Sequence, residues 1–139
     1  MRYLLFALTA SALVLTGCGG DDEAGTSPTA VSPTPAGASK LTVQVRESAS
    51  AKPRTWTLTC DPAGGDHPAA AQSCAALARA GRWYEPVPPS QMCTEIYGGP
   101  QSATVTGTWR GETVNASFNR KNGCEISRWS KIAPTLGAT

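Results

Sequence analysis

The chain has little of what chemistry usually requires. Its 139 residues include one histidine, two methionines, two phenylalanines and only 16% charged side chains. With a single imidazole, His67, and no nearby nucleophile with an orienting acid, an enzyme is not the expected reading. No C-x-x-C pair occurs, and Cys60, Cys74, Cys93 and Cys124 stand 14, 19 and 31 residues apart, which argues against zinc. No cofactor is implied. From Lys40 onward eleven Lys/Arg oppose seven Asp/Glu, but the cations are scattered singly or in pairs. Without a basic cluster interleaved with aromatics, a nucleic-acid partner is not expected.

Long apolar runs are equally scarce. Leu4 to Leu15 is the main one, about a dozen residues, too short to span a bilayer and suited to a signal sequence behind Arg2. It ends in Leu15-Thr16-Gly17-Cys18, which looks like a bacterial lipobox. Residues 1–17 are therefore expected to be a lipoprotein signal peptide and Cys18 the lipidated N-terminus, anchored outside the cytoplasmic membrane. Release into the medium is the other extracellular outcome. Residues 18–39 are the lipidated cysteine and a spacer of Gly, Ser, Thr, Ala and Pro, unable to bury enough apolar surface to order itself. Such a tether reaches roughly 25 Å.

What remains, 40–139, is one small domain, and small exported domains often need covalent help. Four cysteines allow three pairings, and their spacing alone does not choose among them. Leu41, Val43 and Val45 alternate with polar neighbours and predict a half-buried strand; Trp56, Leu58 and Cys60 predict a second. Ala103, Val105, Gly107 and Trp109 lead through a turn at Gly111-Glu112 to Val114, Ala116 and Phe118, an antiparallel hairpin. Threonines fill the polar faces, as in a sheet with one face buried. Pro68 suits a first helical position, and Ala69 to Ala80 reads as the main helix, stopped by Gly81. Ala70, Cys74, Leu77 and Ala78 share its predicted inner face. A shorter helix or turn is expected around Glu125 to Ser130. The fold class is α+β: a four- to five-stranded antiparallel sheet with one main helix and a second short one. The four tryptophans read as core or sheet-face residues. His67 reads as a packed, hydrogen-bonded group at the helix start.

The stretch that fits no regular element is the most informative. Gln91-Met92-Cys93-Thr94-Glu95-Ile96-Tyr97-Gly98-Gly99-Pro100 follows Pro86, Pro88 and Pro89, so neither helix nor strand is expected to run through it. A short extended segment tethered by a cysteine can be held rigid in a protease cleft.

Cys60-Asp61-Pro62-Ala63-Gly64-Gly65-Asp66-His67-Pro68, followed by Ser73-Cys74-Ala75-Ala76-Leu77, resembles a signature of the Streptomyces subtilisin inhibitor family. Met92-Cys93-x-x-Ile96-Tyr97 resembles its reactive-site segment. Trp109 to Phe118 and Asn122-Gly123-Cys124-Glu125 resemble its final hairpin and fourth cysteine. The resemblance implies disulfides Cys60–Cys74 and Cys93–Cys124. It also implies substrate-like inhibition of a serine protease, in which a preorganised loop is cut slowly and can be resealed. Carried over, the reactive bond is Glu95–Ile96, with Met92, Cys93, Thr94, Tyr97 and Gly98 in the protease-contacting loop and Asn122 supporting it. The resemblance further implies a homodimer through the sheet. The family more often shows Met, Lys or Arg at P1. Glu95 there points to a Glu-preferring or broad subtilisin-like protease, because a carboxylate entering an apolar pocket loses hydration without gaining a partner. Proline is common in the family where Thr94 stands, and threonine gives up some rigidity. The alternative function is a cell-surface lipoprotein binding module that keeps the scaffold without inhibiting.

Overall fold

A computed structural model describes residues 37–137. The expected signal peptide, Cys18 and nearly all of the spacer lie outside the described residues.

Five strands form one antiparallel sheet in the order β3-β2-β1-β4-β5: β1 (Ser39–Arg46), β2 (Arg54–Cys60), β3 (Gly64–Gly65), β4 (Ser102–Trp109) and β5 (Glu112–Asn119). The predicted alternations set its register. Val43 lies opposite Trp56 on one side and Val105 on the other, Val105 opposite Ala116, and Ala103 opposite Phe118. All but the half-buried Trp56 are buried, so period-two patterning assigns one face of the sheet to the core. The opposite face carries a polar row in which Thr57, Thr42, Thr106 and Asn115 are partners across four strands.

The hairpin turn sits one residue earlier than expected. Trp109 pairs with Glu112, so Arg110-Gly111 is the two-residue loop and Glu112 already belongs to β5. Both loop residues have positive φ (49° and 88°), the turn whose twist matches that of the flanking strands. The fifth strand, β3, falls where the sequence assigns none: two glycines carry no side-chain pattern to read.

Helix α1 (Ala70–Ala80) packs on β2 and on a C-terminal 3-10 turn (Ala133–Leu136). It starts two residues after Pro68, because His67 Nδ1 takes the N–H of Ala69 at 3.1 Å and keeps 68–69 in a turn. Its inner face also differs from the predicted one. Ala78 is exposed and Ser73 is fully buried beside Ala76 and Leu77. In an alanine-rich helix the apolar stripe is nearly uninformative, and a serine is tolerated inside because its hydroxyl lies 3.4 Å from His67 Nδ1. His67 Nε2 is 3.0 Å from the Thr135 carbonyl, which fixes the ring hydrogen on Nε2. The imidazole thus staples helix start to C-terminal turn, packed edge-on against Trp56, and both its nitrogens are occupied.

Helix α2 (Gly123–Lys131) is longer than predicted and packs on β5. Asn122 caps it, its Oδ1 accepting from Glu125 N at 3.0 Å. Trp83, Trp109, Trp129, Ile132 and Leu136 complete the core. The bridges Cys60–Cys74 and Cys93–Cys124 are both formed, with Cα separations of 5.7 and 5.4 Å. The first ties the end of β2 to α1; the second ties the irregular segment to α2.

Candidate functional site

Residues 91–99 have no regular secondary structure and run across the surface between the proline-rich stretch and β4. Prolines at 86, 88 and 89 remove backbone donors and forbid helix. The segment is nevertheless fixed at several points. Cys93 is covalently joined to Cys124 in the first turn of α2. The Thr94 carbonyl accepts from Gly123 N at 2.9 Å and again from Ile96 N at 2.9 Å. The latter closes a three-residue turn centred on Glu95, whose φ is not positive, the more common form of this turn. Downstream, Gly98 N donates to the Arg120 carbonyl at 2.8 Å. Glu95 and Ile96 therefore sit between two backbone anchors with a disulfide just outside the first.

The anchors stand on a well-held base. Arg128, one turn further along α2, donates through Nη1 to Glu125 at 2.8 Å and to the Ser117 carbonyl at 3.2 Å. Its guanidinium lies 4.6 Å from the centroid of Phe118. Both charged side chains are mostly buried, so the pair fixes α2 against β5 rather than decorating the surface. Arg120 Nη1 reaches Gln101 Oε1 at 3.3 Å, joining the end of β5 to the start of β4 beneath the segment.

What the segment presents outward is apolar. Met92 is 96% exposed, Tyr97 67% and Ile96 57%; among the described residues these are the exposed large hydrophobics. Three such side chains within six residues, on a backbone that cannot fold back to bury them, mark a surface made to be covered by a partner. Glu95 stands exposed among them at the apex of the turn.

Met92, Cys93, Thr94, Glu95, Ile96, Tyr97 and Gly98 thus lie together as one strip. Asn122 lies behind it and acts one step removed: its carboxamide oxygen caps α2, while the contact to the strip is made by the N–H of Gly123. Sequence reasoning missed Gly123, Arg120 and Ile126. A Cβ on Gly123 would fall 2.0 Å from Thr94 Oγ1, and one on Gly98 would fall 2.8 Å from Ile126 Cδ1. The readable trace of this close approach is a glycine beside each anchor, in Tyr97-Gly98-Gly99 and Asn122-Gly123-Cys124.

Gly123→Ala is expected to push Thr94 off its anchor and weaken whatever the strip binds about tenfold, roughly 1–2 kcal/mol. Adding Thr94→Ala removes the collision and should restore much of the loss, a coupling that a double-mutant cycle in a binding assay reads directly.

No group of three or more His, Cys, Asp or Glu residues is placed to hold a metal ion among the described residues. The described helices include none long and apolar enough to cross a membrane.

Residues 35–122 match the family model described as "Subtilisin inhibitor-like". The chain belongs to the subtilisin inhibitor-like family. It is similar to subtilisin inhibitor-like protein 1 of Streptomyces cacaoi, 37% identical over 82 residues that cover 54% of this chain and 72% of that protein. It is also similar to subtilisin inhibitor-like protein 2 of Streptomyces rochei, 40% identical over 89 residues, 60% of this chain and 78% of that one. Among solved structures it resembles Streptomyces caespitosus sermetstatin in complex with Bacillus licheniformis subtilisin. There the identity is 27% and the TM-score 0.47, covering 74% of this chain and 100% of the other. In this subtilisin inhibitor-like domain the two disulfides are those the resemblance implied, and the antiparallel sheet with its two helices is the α+β fold that the residue pattern predicted.

Proposed function

We propose that this domain inhibits a serine protease in the substrate-like manner, offering Glu95–Ile96 as the reactive bond. The observation that carries the reading is the double anchoring of an exposed strip: backbone bonds at Thr94 and Gly98 flank the bond, and Cys93–Cys124 holds its upstream side. A loop already held in one conformation has little entropy left to lose on docking, so more of the contact energy appears as affinity. The protease's own nucleophile and oxyanion hole perform the chemistry, and the inhibitor supplies only a bond held in place. Family membership supports the same reading.

Glu95 at P1 directs the choice of target toward a Glu-preferring protease or a broad subtilisin-like one, since an apolar pocket would have to desolvate the carboxylate unpaired. The polar row Thr57-Thr42-Thr106-Asn115, uncovered by either helix, suits a sheet-to-sheet homodimer. The lipobox at Cys18 would hold the inhibitor at the extracellular face of the bacterial membrane, acting on secreted or surface proteases.

The test is a panel of subtilisin-like, trypsin-like and Glu-specific proteases incubated with the protein, followed by mass mapping of any slow cleavage. Tight inhibition with a nick confined to Glu95–Ile96 is expected for at least one subtilisin-like or Glu-specific enzyme. Rapid degradation, or indifference across the panel, would instead favour a surface binding module that retains the scaffold alone.

A further inference from the structure

We infer that Met92 is an oxidation switch on the reactive strip: a hydroperoxide that converts its thioether to the sulfoxide loosens the inhibitor from its protease. The inference rests on the inhibitory reading above and adds to it a means of regulation.

Chemical selectivity comes first. The chain has two methionines, Met1 and Met92, and Met92 is the one within the domain. The four domain cysteines are all tied up in disulfides, so no thiol competes for oxidant. Trp83, Trp109 and Trp129 are buried, and Trp56 is half-buried against His67. The thioether of Met92, at 96% exposure, is therefore the most accessible readily oxidised group in the domain. Its sulfur attacks one peroxide oxygen. The S–O bond forms as the O–O bond breaks, sulfur gives up two electrons, and the peroxide leaves as water or an alcohol.

Position makes the modification matter. Met92 is three residues upstream of the proposed bond, about 10 Å along an extended chain. A protease–inhibitor interface covers about 800 Å² on each partner, so a side chain at that distance falls inside it. Cys93, next in sequence, is pinned to α2, so the backbone that carries Met92 is held beside the proposed bond. An unmodified methionine is flexible, apolar and well suited to filling an apolar subsite. A sulfoxide in the same place brings a strong, chirally fixed hydrogen-bond acceptor that must be desolvated. Loss of one apolar anchor and burial of an unpaired oxygen together predict inhibition about tenfold to a hundredfold weaker. The fold should be indifferent, because Met92 touches little of the core.

The experiment treats the full chain with hydrogen peroxide, then measures inhibition of a broad-specificity subtilisin, intact mass and thermal unfolding. The expected result is a gain of one oxygen atom within the domain, mapped to Met92 by peptide mass, an inhibition constant at least tenfold higher and an unchanged melting temperature. The Met92→Leu variant, whatever its starting inhibition constant, should show the same value before and after peroxide. Three outcomes overturn the switch: wild-type protein oxidised at Met92 that inhibits as before, a Met92→Leu variant that loses inhibition on treatment, or weakening accompanied by loss of the fold. If untreated protein inhibits no protease in the panel, the inhibitory reading falls and the switch falls with it, an outcome distinct from those three.

Discussion

Glu95→Lys is expected to turn this protein into a trypsin inhibitor, with an inhibition constant at least about a thousandfold lower than that of the wild type, roughly 4 kcal/mol. Trypsin's primary pocket ends in a carboxylate. A glutamate directed at it meets a like charge and leaves both groups without counter-charge, whereas lysine completes an ion pair sheltered from water. The backbone need not change, because the turn at Glu95 is closed by main-chain atoms of Thr94 and Ile96. Since the side chain is exposed, melting temperature should stay almost where it was. A trypsin assay with slow-binding analysis decides the matter. A variant that binds trypsin no better than wild type means that the register of the bond, or the inhibitory reading itself, is wrong.

The second large effect concerns the Cys93–Cys124 bridge. Replacing both cysteines by serine should cost about 3–4 kcal/mol, from the loop entropy that a 31-residue crosslink removes from the unfolded chain. For a domain of this size that lowers the melting temperature by roughly 15–25 °C, which circular dichroism would follow. The functional loss should exceed the structural one. Without the crosslink the strip keeps only its two backbone anchors, gains freedom upstream of Glu95, and should be cut as an ordinary substrate at a temperature where the domain is still folded. Removing Cys60–Cys74 instead should cost about 3 kcal/mol while leaving the strip clamped. Equal inhibition by both disulfide variants under folding conditions would show that the anchor at Cys93 does not govern the site.

Where the sequence is legible, the physical reason is plain. β1, β4 and β5 alternate strictly, so strand identity and inward face follow from period two, and Val43, Val105 and Phe118 lie where that period puts them. The main helix was legible as an element but not in orientation. Alanines occupy most positions around it, and what holds Ser73 inward is a histidine six residues upstream together with Thr135 of the C-terminal turn, 62 residues away. The second helix begins two residues before the expected span, at Gly123 and Cys124, which do not look like helix starts. A glycine is needed there to admit Thr94. The disulfide pairing came from resemblance and not from spacing, which left three choices open. As for the strip, its lack of regular structure could be read from prolines and glycines. Its anchors could not, because Thr94–Gly123 and Gly98–Arg120 are backbone bonds between residues more than twenty positions apart, and a backbone amide is the same in every residue.

The sheet order bears on what a protease would leave behind. Glu95–Ile96 falls between the part of the chain that forms β1, β2, β3 and α1 and the part that forms β4, β5 and α2. Scission there splits the molecule into two polypeptides that share one fold. The seam between them is the β1–β4 ladder through the middle of the sheet, and the Cys93–Cys124 bond stitches one polypeptide to the other. The nicked protein is thus a two-chain heterodimer with its own covalent link. It would migrate as one species until reduced, and its fragments could reassociate around Val43 and Val105 even after that.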